Sequence, residues 1–362
     1  MKKNLALFVL SFAVALVATE LFWRSFRGQE VLAWKDWLSA ETVGAIIGHN
    51  SANRYDANLG WVLKDNFSTN PGMERPIMTT TSYGIRKNNK NTEVQKNSIL
   101  AVGDSFTAGS EVFDDESWPS HLERALSRQV LNAGVGGYGF DQIILRAEEL
   151  LPILEPNLVI IGLLDQDILR NGFRKYGAPK PWFSIRDGKL VRHNLPVPDL
   201  SSYLESKIVE KDAILIPWSY SLFLVELMQI FDDSISYKKY GGYKLVDNDE
   251  VQISCLLLKR FKERLAEFDS DAIIVLQYGG QVFSLKYARP QYAIDFLKCA
   301  KELNYSIVDE FDYLTGVAGS ISELKRHYVM HSSDGQAQDI YGHMSSYGNE
   351  KISRLIAAEI LQ

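Results

Sequence analysis

The feature that most constrains the fold is a repeated alternation of short apolar runs with longer amphipathic stretches, beginning near residue 99. Runs rich in large aliphatic residues predict buried strands, and apolar residues recurring at helical spacing predict helices. The predicted strands are 99–102, 129–131, 158–162, 272–276 and 305–308. The predicted helices are 118–127, 140–151, 251–268, 292–303 and 349–360. Because strands alternate with helices, the sequence predicts an α/β fold with a mostly parallel sheet.

The alternation is interrupted between about residues 171 and 249, which we interpret as an insertion. Asp187-Gly188 is a strong turn signal and predicts a hairpin, and the apolar stretch 208–231 predicts a long helix. Upstream, the turn-rich segment 55–86 is suited to short strands, at 59–62 and 78–81, and we expect it to pack against the main domain. Insertions beside a binding edge commonly shape access to it.

The N-terminus has the layout of an export signal. Lys2 and Lys3 precede an almost unbroken apolar stretch from residue 5 to residue 23, long enough as a helix to cross most of a bilayer's hydrocarbon core. Residues 13–15 have the small-x-small form of a cleavage site, but we favour an uncleaved anchor with the rest of the chain outside the cytoplasm. The alternative is a core helix of a cytosolic protein. We therefore expect an anchor or signal (1–27), a connector and lead-in segment (28–94) and a main domain (95–362).

Composition narrows the classes of partner. The formal net charge of −6 argues against nucleic acid, because binding phosphates requires a concentrated basic surface. Cys255 and Cys299 have no metal-ligand spacing and lie in apolar helical patterns, which favours buried free thiols over a disulfide. The sequence predicts neither a metal site nor a cofactor.

Polar and glycine-rich segments follow the first three predicted strands. Gly103-Asp104-Ser105 follows the first, and Ser105 is a candidate nucleophile, although such a triplet alone is more often a turn. Segment 132–139, with four glycines in eight residues, follows the second and is suited to presenting a main-chain N–H to an oxyanion, or simply to a tight connection. Gln166 follows the third, where a side-chain amide would donate a further hydrogen bond.

A histidine in a glycine-flanked setting precedes the last predicted helix. His343 is the candidate base, because a serine nucleophile needs an imidazole within hydrogen-bond reach. Asp339 is the nearest upstream carboxylate and our candidate for orienting the imidazole, with Asp334 as its competitor. The other five histidines have no comparable setting.

These four blocks, in this order, resemble the SGNH family of hydrolases, also called GDSL esterases and lipases. The resemblance spans about residues 95–361 and implies a three-layer α/β/α sandwich, with an oxyanion hole made by the Ser105 and Gly137 N–H groups and Gln166. Two departures stand out. Gln166 replaces the family's Asn, and Ile340 occupies the position, three residues before His343, where the family has Asp.

The upstream elements Leu59-Gly60-Trp61 and Gly84-Ile85-Arg86 resemble a bacterial envelope branch of the family, whose members often begin with a membrane anchor. The resemblance implies a serine esterase acting on small acyl esters, such as O-acetyl groups on envelope carbohydrate. If an acceptor sugar outcompetes water, the same machinery is an O-acyltransferase. The alternative is an anchored glycan-binding or assembly protein that keeps the fold without turnover.

Overall fold

The structure is a computed structural model. It describes residues 2–26, 52–69, 71, 77–174, 176, 178–199, 202, 223–224, 227, 249–284, 288–331 and 340–362. The chain divides into two compact units. The N-terminal helix belongs to the first unit, and the described residues of 51–174, 180–197 and 244–362 form the second.

Strands and helices alternate along the described chain, and their bounds are as follows. The strands are β1 (Asn53–Asp56), β2 (Gly60–Leu63), β3 (Ile99–Val102), β4 (Val130–Asn132), β5 (Leu158–Leu164), β6 (Trp182–Arg186), β7 (Lys189–His193), β8 (Asp271–Gln277), β9 (Ser306–Asp309), β10 (Tyr328–His331) and β11 (Ile340–Met344). The helices are α1 (Lys2–Phe26), α2 (Ser105–Ala108), α3 (Trp118–Leu126), α4 (Phe140–Leu154), α5 (Asp165–Leu169), α6 (Glu250–Ala266), α7 (Gly280–Ser284), α8 (Gln291–Glu302), α9 (Phe311–Val317), α10 (Ile321–His327) and α11 (Ser346–Ile360).

A five-stranded sheet with the order β4-β3-β5-β8-β9 forms the centre of the second unit. Every pairing in it is parallel, and Ile99 of β3 lies between Val130 of β4 and Leu158 of β5. All residues of β3 are buried, which explains why these strands read as continuous apolar runs rather than alternating ones. The prediction of an α/β fold with a mostly parallel sheet is confirmed.

Two groups of helices pack on this sheet. On one side the backbone N–H of Trp118 in α3 donates to the Asn349 side chain in α11 at 2.9 Å. In the other group, Phe140 of α4 packs on Phe296 of α8 with ring centroids 5.2 Å apart, and α6 also packs on α4. Right-handed crossovers between parallel strands put these groups on opposite faces, which makes three layers.

The predicted bounds of the central elements agree with the structure to within a few residues. The last helix begins three residues earlier than expected, because the Ser345 side chain caps it by accepting from the N–H of Gly348. The predicted Asp-Gly hairpin is confirmed as β6–β7, with positive φ at both Asp187 (51°) and Gly188 (71°), as a two-residue turn of this kind requires. Of the predicted helix 208–231, only 223–224 and 227 lie within the described residues.

The lead-in segment contacts the glycine-rich loop after β4. The indole N–H of Trp61 in β2 donates to the Gly136 carbonyl at 3.1 Å, and the Tyr138 hydroxyl donates to the Trp61 carbonyl at 2.5 Å. The backbone N–H of Arg86 donates to the Asn132 carbonyl at 2.8 Å. The expected strand at 78–81 forms only isolated bridges, which pair Thr79 with Ser68 and Thr80 with Arg86.

The expectation of buried free thiols is wrong. Cys255 in α6 and Cys299 in α8 are joined as a disulfide, with Cα atoms 5.9 Å apart, and both are half-buried. The two helices are neighbours on the same face of the sheet. Their helical patterns were read correctly, but the pairing depends on how the two helices face each other, which periodicity does not reveal.

The N-terminal helix has the length and composition to cross a membrane. Its segment Leu7–Phe26 spans 20 residues with a mean hydropathy of 1.7, and only 6% of its most apolar stretch is buried. A signal sequence has the same properties.

Candidate active site

Ser105 lies where the central strand β3 ends. Gly103 leaves no room for a side chain, because an added Cβ would lie 2.4 Å from the Gly162 carbonyl oxygen of β5. Asp104 caps the short helix α2 by accepting from the N–H of Phe106 at 2.9 Å. Ser105 begins that helix and is half-buried. This position is the carboxyl edge of the sheet, where open α/β folds bind ligands.

The glycine-rich loop after β4 lies beside Ser105. A Cβ added to Gly134 would lie 2.3 Å from the backbone nitrogen of Ala108, so the loop packs directly on α2. A Cβ added to Gly136 would lie 3.9 Å from the Cβ of Ser105. Gly137, the predicted oxyanion donor, follows in the left-handed region with φ of 79°, a conformation that favours glycine.

Gln166, the predicted third donor, lies in the first turn of α5 and is half-buried. It follows β5, which pairs in parallel with β3, so Gln166 and Ser105 lie at the same edge of the sheet. The neighbouring Asp167 is fully buried, and its carboxylate accepts from the N–H of Leu164 at 2.9 Å.

A buried charge cluster joins the three segments that carry these residues. Nη1 of Arg170 lies 2.5 Å from Oδ1 of Asp167, 3.6 Å from Oδ2 of Asp104 and 2.8 Å from the Tyr138 carbonyl. Burial raises the pKa of Asp167 well above its ordinary value, and the nearby charge of Asp104 raises it further against the opposing effect of Arg170. The carboxyl groups of Asp104, which precedes Ser105, and Asp167 thus share one guanidinium.

His343, the predicted base, lies on β11 next to helix α2, which begins at Ser105. Its ring centroid is 5.2 Å from that of Phe106, the residue after Ser105. Nδ1 lies 2.7 Å from Oε2 of Glu111, and the backbone N–H of His343 donates to the same oxygen at 2.7 Å. An Nδ1 that donates to a carboxylate leaves Nε2 as the ring's proton acceptor.

The hydrogen bond between the predicted nucleophile and base is not formed among the described residues. The Ser105 hydroxyl donates instead to Oδ2 of Asp104 at 3.3 Å. In enzymes without bound substrate, catalytic hydrogen bonds are often long or poorly aligned and form only in the complex. The structure therefore brings Ser105, the glycine loop and His343 to one edge of the sheet without closing the Ser–His pair.

Glu111 is the residue that the sequence prediction missed. It lies in the loop after α2, and its two carboxylate oxygens contact the two histidines His331 and His343. Hydrogen bonds from both outweigh the effect of partial burial and hold the pKa of Glu111 below its ordinary value. No local pattern marks this glutamate, since it lies in a polar loop with other carboxylates nearby. The predicted partners Asp339 and Asp334 lie outside the described residues.

Comparisons with known proteins give only distant similarities. No protein-family profile matches the chain, and no curated protein matches it. Among solved structures, it is similar to an acetylxylan esterase from Geobacillus stearothermophilus, with 13% identity and a TM-score of 0.40 over 74% of this chain and 96% of that chain. It is also similar to a psychrotrophic esterase from Pseudoalteromonas sp. (14% identity, TM-score 0.37, 74% of this chain and 97% of that one). A lipase/acylhydrolase from Enterococcus faecalis gives 15% identity and a TM-score of 0.36 over 73% and 95% of the two chains.

The sheet order and the positions of the sequence blocks can be compared with those of a known hydrolase family. The sequence blocks that contain Ser105, Gly137 and Gln166 follow three adjacent parallel strands, and the block that contains His343 returns to the same edge. In its fold and in the order of these blocks, the chain is similar to the SGNH/GDSL hydrolases.

Proposed function

We infer that the protein is a serine esterase that acts by acyl transfer from small acyl esters. The observation that carries this inference is the His343 imidazole, which a carboxylate holds through Nδ1 while its ring lies against the residue that follows Ser105. A base held in one tautomer beside a serine at a sheet edge is the arrangement that nucleophilic catalysis requires.

In the proposed reaction, Ser105 Oγ bonds to the ester carbonyl carbon while its proton moves to Nε2 of His343. The carbonyl oxygen carries the negative charge of the tetrahedral intermediate. That intermediate collapses, the bond to the alcohol breaks, and His343 returns the proton to the leaving alkoxide. Water then repeats the sequence on the acyl-enzyme and releases the acid. An acceptor sugar in place of water would make the reaction an O-acyl transfer.

The oxyanion donors in this proposal are the N–H groups of Ser105 and Gly137 and the side-chain amide of Gln166. Support comes from the position of Gly136, where an added Cβ would lie 3.9 Å from the Cβ of Ser105, and from the left-handed conformation of Gly137. Gln166 carries the amide of the family's asparagine on a longer arm and stands at the same edge. Loss of one such donor lowers turnover on the order of 100-fold or more. The proposed substrates are acyl esters such as O-acetyl groups on envelope carbohydrate.

The proposed location is the outer face of the membrane, with residues 1–27 as anchor, 28–94 as connector and lead-in, and 95–362 as the catalytic domain. The apolar and largely exposed helix α1 supports an anchor. The disulfide between Cys255 and Cys299 supports an oxidising compartment, because disulfides are rare where thiols are kept reduced.

Labelling with a fluorophosphonate probe tests the esterase proposal, because the probe bonds covalently to an activated serine and releases fluoride. The detergent-solubilised full-length protein should be labelled, and both Ser105→Ala and His343→Ala should abolish labelling. Ser322→Ala, which removes an exposed hydroxyl, is the matched control and should label like the wild type. A folded wild-type protein that does not react would instead favour the glycan-binding or assembly role.

A further inference from the structure

We propose that Glu111 is the positioning residue that orients His343, in the role for which the family uses a carboxylate near its C-terminal histidine. This inference rests on the proposed serine mechanism. It assigns the role to a residue 232 positions before the histidine, in the loop that directly follows the nucleophile.

The contact between the two residues fixes the ring in two ways. One carboxylate oxygen, Oε2, accepts both from Nδ1 and from the backbone N–H of His343, each at 2.7 Å. The bond to Nδ1 selects the tautomer whose Nε2 accepts a proton. The bond to the backbone ties β11 to the loop that carries Glu111, which restricts movement of the ring relative to that loop.

The remaining oxygen is also held. Oε1 of Glu111 lies 2.5 Å from Nε2 of His331 on β10. The pKa of Glu111 is held below its ordinary value by its hydrogen bonds to the two histidines, against the effect of its partial burial. The carboxylate is therefore ionised through the range in which an imidazole gains or loses its proton, and it can balance the imidazolium formed during catalysis.

The backbone around Glu111 is held in an uncommon conformation. Glu111 has a φ of 70°, a left-handed conformation that few glutamates adopt. The fully buried guanidinium of Arg86 donates from Nη1 to the Gly109 carbonyl at 2.5 Å and from Nη2 to the Val112 carbonyl at 2.8 Å. Backbone carbonyls on both sides of Glu111 are thus bound to one rigid group. Backbone strain of this kind persists only where the surroundings impose it, and it is concentrated at functional sites.

Strand β11, which carries His343, leaves room for the Glu111 carboxylate at Gly342. A Cβ on Gly342 would lie 2.7 Å from Oε2 of Glu111 and 2.6 Å from Nε2 of His331. A side chain at this position would displace the carboxylate, the imidazole or both. The loop conformation, the glycine on β11 and the two histidines thus all favour the same position for the Glu111 carboxylate.

The test measures the rate of fluorophosphonate labelling against pH for full-length wild type, Glu111→Gln and Glu111→Gly. Glu111→Gln keeps the shape and removes the charge, and Glu111→Gly removes the side chain where glycine is favoured by the positive φ, so it should fold. Both variants should label at least about 100-fold more slowly than wild type, as expected when an orienting carboxylate is lost. The midpoint of the pH–rate profile should also move to lower pH, because the imidazolium loses its anionic partner. Glu302→Gln, at an exposed position in α8, is the control for a removed surface charge.

Asp339→Asn tests the competing assignment, in which Asp339 orients His343. Slow labelling and a moved midpoint in Asp339→Asn, with wild-type behaviour in both Glu111 variants, would overturn the inference and leave the esterase proposal intact. A wild-type protein that is folded and unlabelled would overturn both. A slower rate in the Glu111 variants without any movement of the midpoint would also overturn the positioning role of Glu111, since a purely structural loss would have that signature.

Discussion

At the scale of single residues, the Glu111 carboxylate lies beside His343 in space that a side chain at position 342 would otherwise occupy. Because Gly342 has no side chain, Oε2 of Glu111 and Nε2 of His331 lie where its Cβ would contact them. The sequence marks His343 through its glycine-flanked block, but the reason for Gly342 is visible only where the loop of Glu111 meets the strand. Glu111 itself was missed, because its neighbours in sequence are not its neighbours in space.

Gly342→Ala tests this arrangement. The added methyl group should displace the Glu111 carboxylate and slow fluorophosphonate labelling roughly 10–100-fold, since small misplacements of catalytic groups have effects of that size. Gly316→Ala, where an added Cβ meets nothing within 4 Å, should leave labelling unchanged. Equal labelling rates in the two variants would show that the space beside His343 is not tightly filled.

At the scale of elements, the lead-in segment and the loop after α2 form one structure around Arg86. Its Nε lies 3.0 Å from Oδ1 of Asp114, and the same carboxylate accepts from the N–H of Thr79 at 3.1 Å. The Gly-x-Arg element that was recognised from sequence therefore has a structural role. It holds the loop that carries Glu111.

Arg86→Met tests the strength of this connection. The substitution leaves the Asp114 carboxylate buried without its guanidinium, and breaking a buried pair in this way lowers the free energy of unfolding by about 3–5 kcal/mol. Chemical denaturation of the full-length protein in detergent measures it. The surface pair of Arg354 and Glu350 provides the control, because Arg354→Met should change stability by less than about 1 kcal/mol. A similar small change in both variants would contradict the role of Arg86.

At the scale of the whole molecule, the proposed location outside the cytoplasm rests on an apolar N-terminal helix and a disulfide. Helix α1 is apolar enough to span a bilayer, and Cys255 and Cys299 are bonded. In this proposal an export signal accounts for both, because it would carry the domain to a place where disulfides form.

Alkaline carbonate extraction tests the anchor. The full-length protein should stay with the membrane pellet, and a variant without residues 2–26 should be released, since 20 apolar residues in a bilayer resist a wash that removes peripheral proteins. Ser105→Ala serves as the full-length comparison and should remain in the pellet. Release of the full-length protein would favour a cleaved signal or a cytosolic location.

The sequence by itself determined the central strands and helices of this fold and indicated two members of the candidate site. The strands and helices around β3, β4 and β5 follow from local apolar periodicity. Ser105 was indicated by a short block after a strand, and His343 by a glycine-flanked block before the last helix. Helices α9 and α10 and the strands β10 and β11 were not foreseen, because their patterns are short.

Only the tertiary structure decided which side chains meet. The pairing of Glu111 with His343 joins residues 232 positions apart, and the disulfide joins Cys255 to Cys299 across two helices. The predicted Asp339 stays a prediction, since it lies outside the described residues. Periodicity states which face of an element is buried, and motifs state which residue types are at hand. Which loop returns to which strand is set by packing of the whole domain, and that alone brings a glutamate to the histidine.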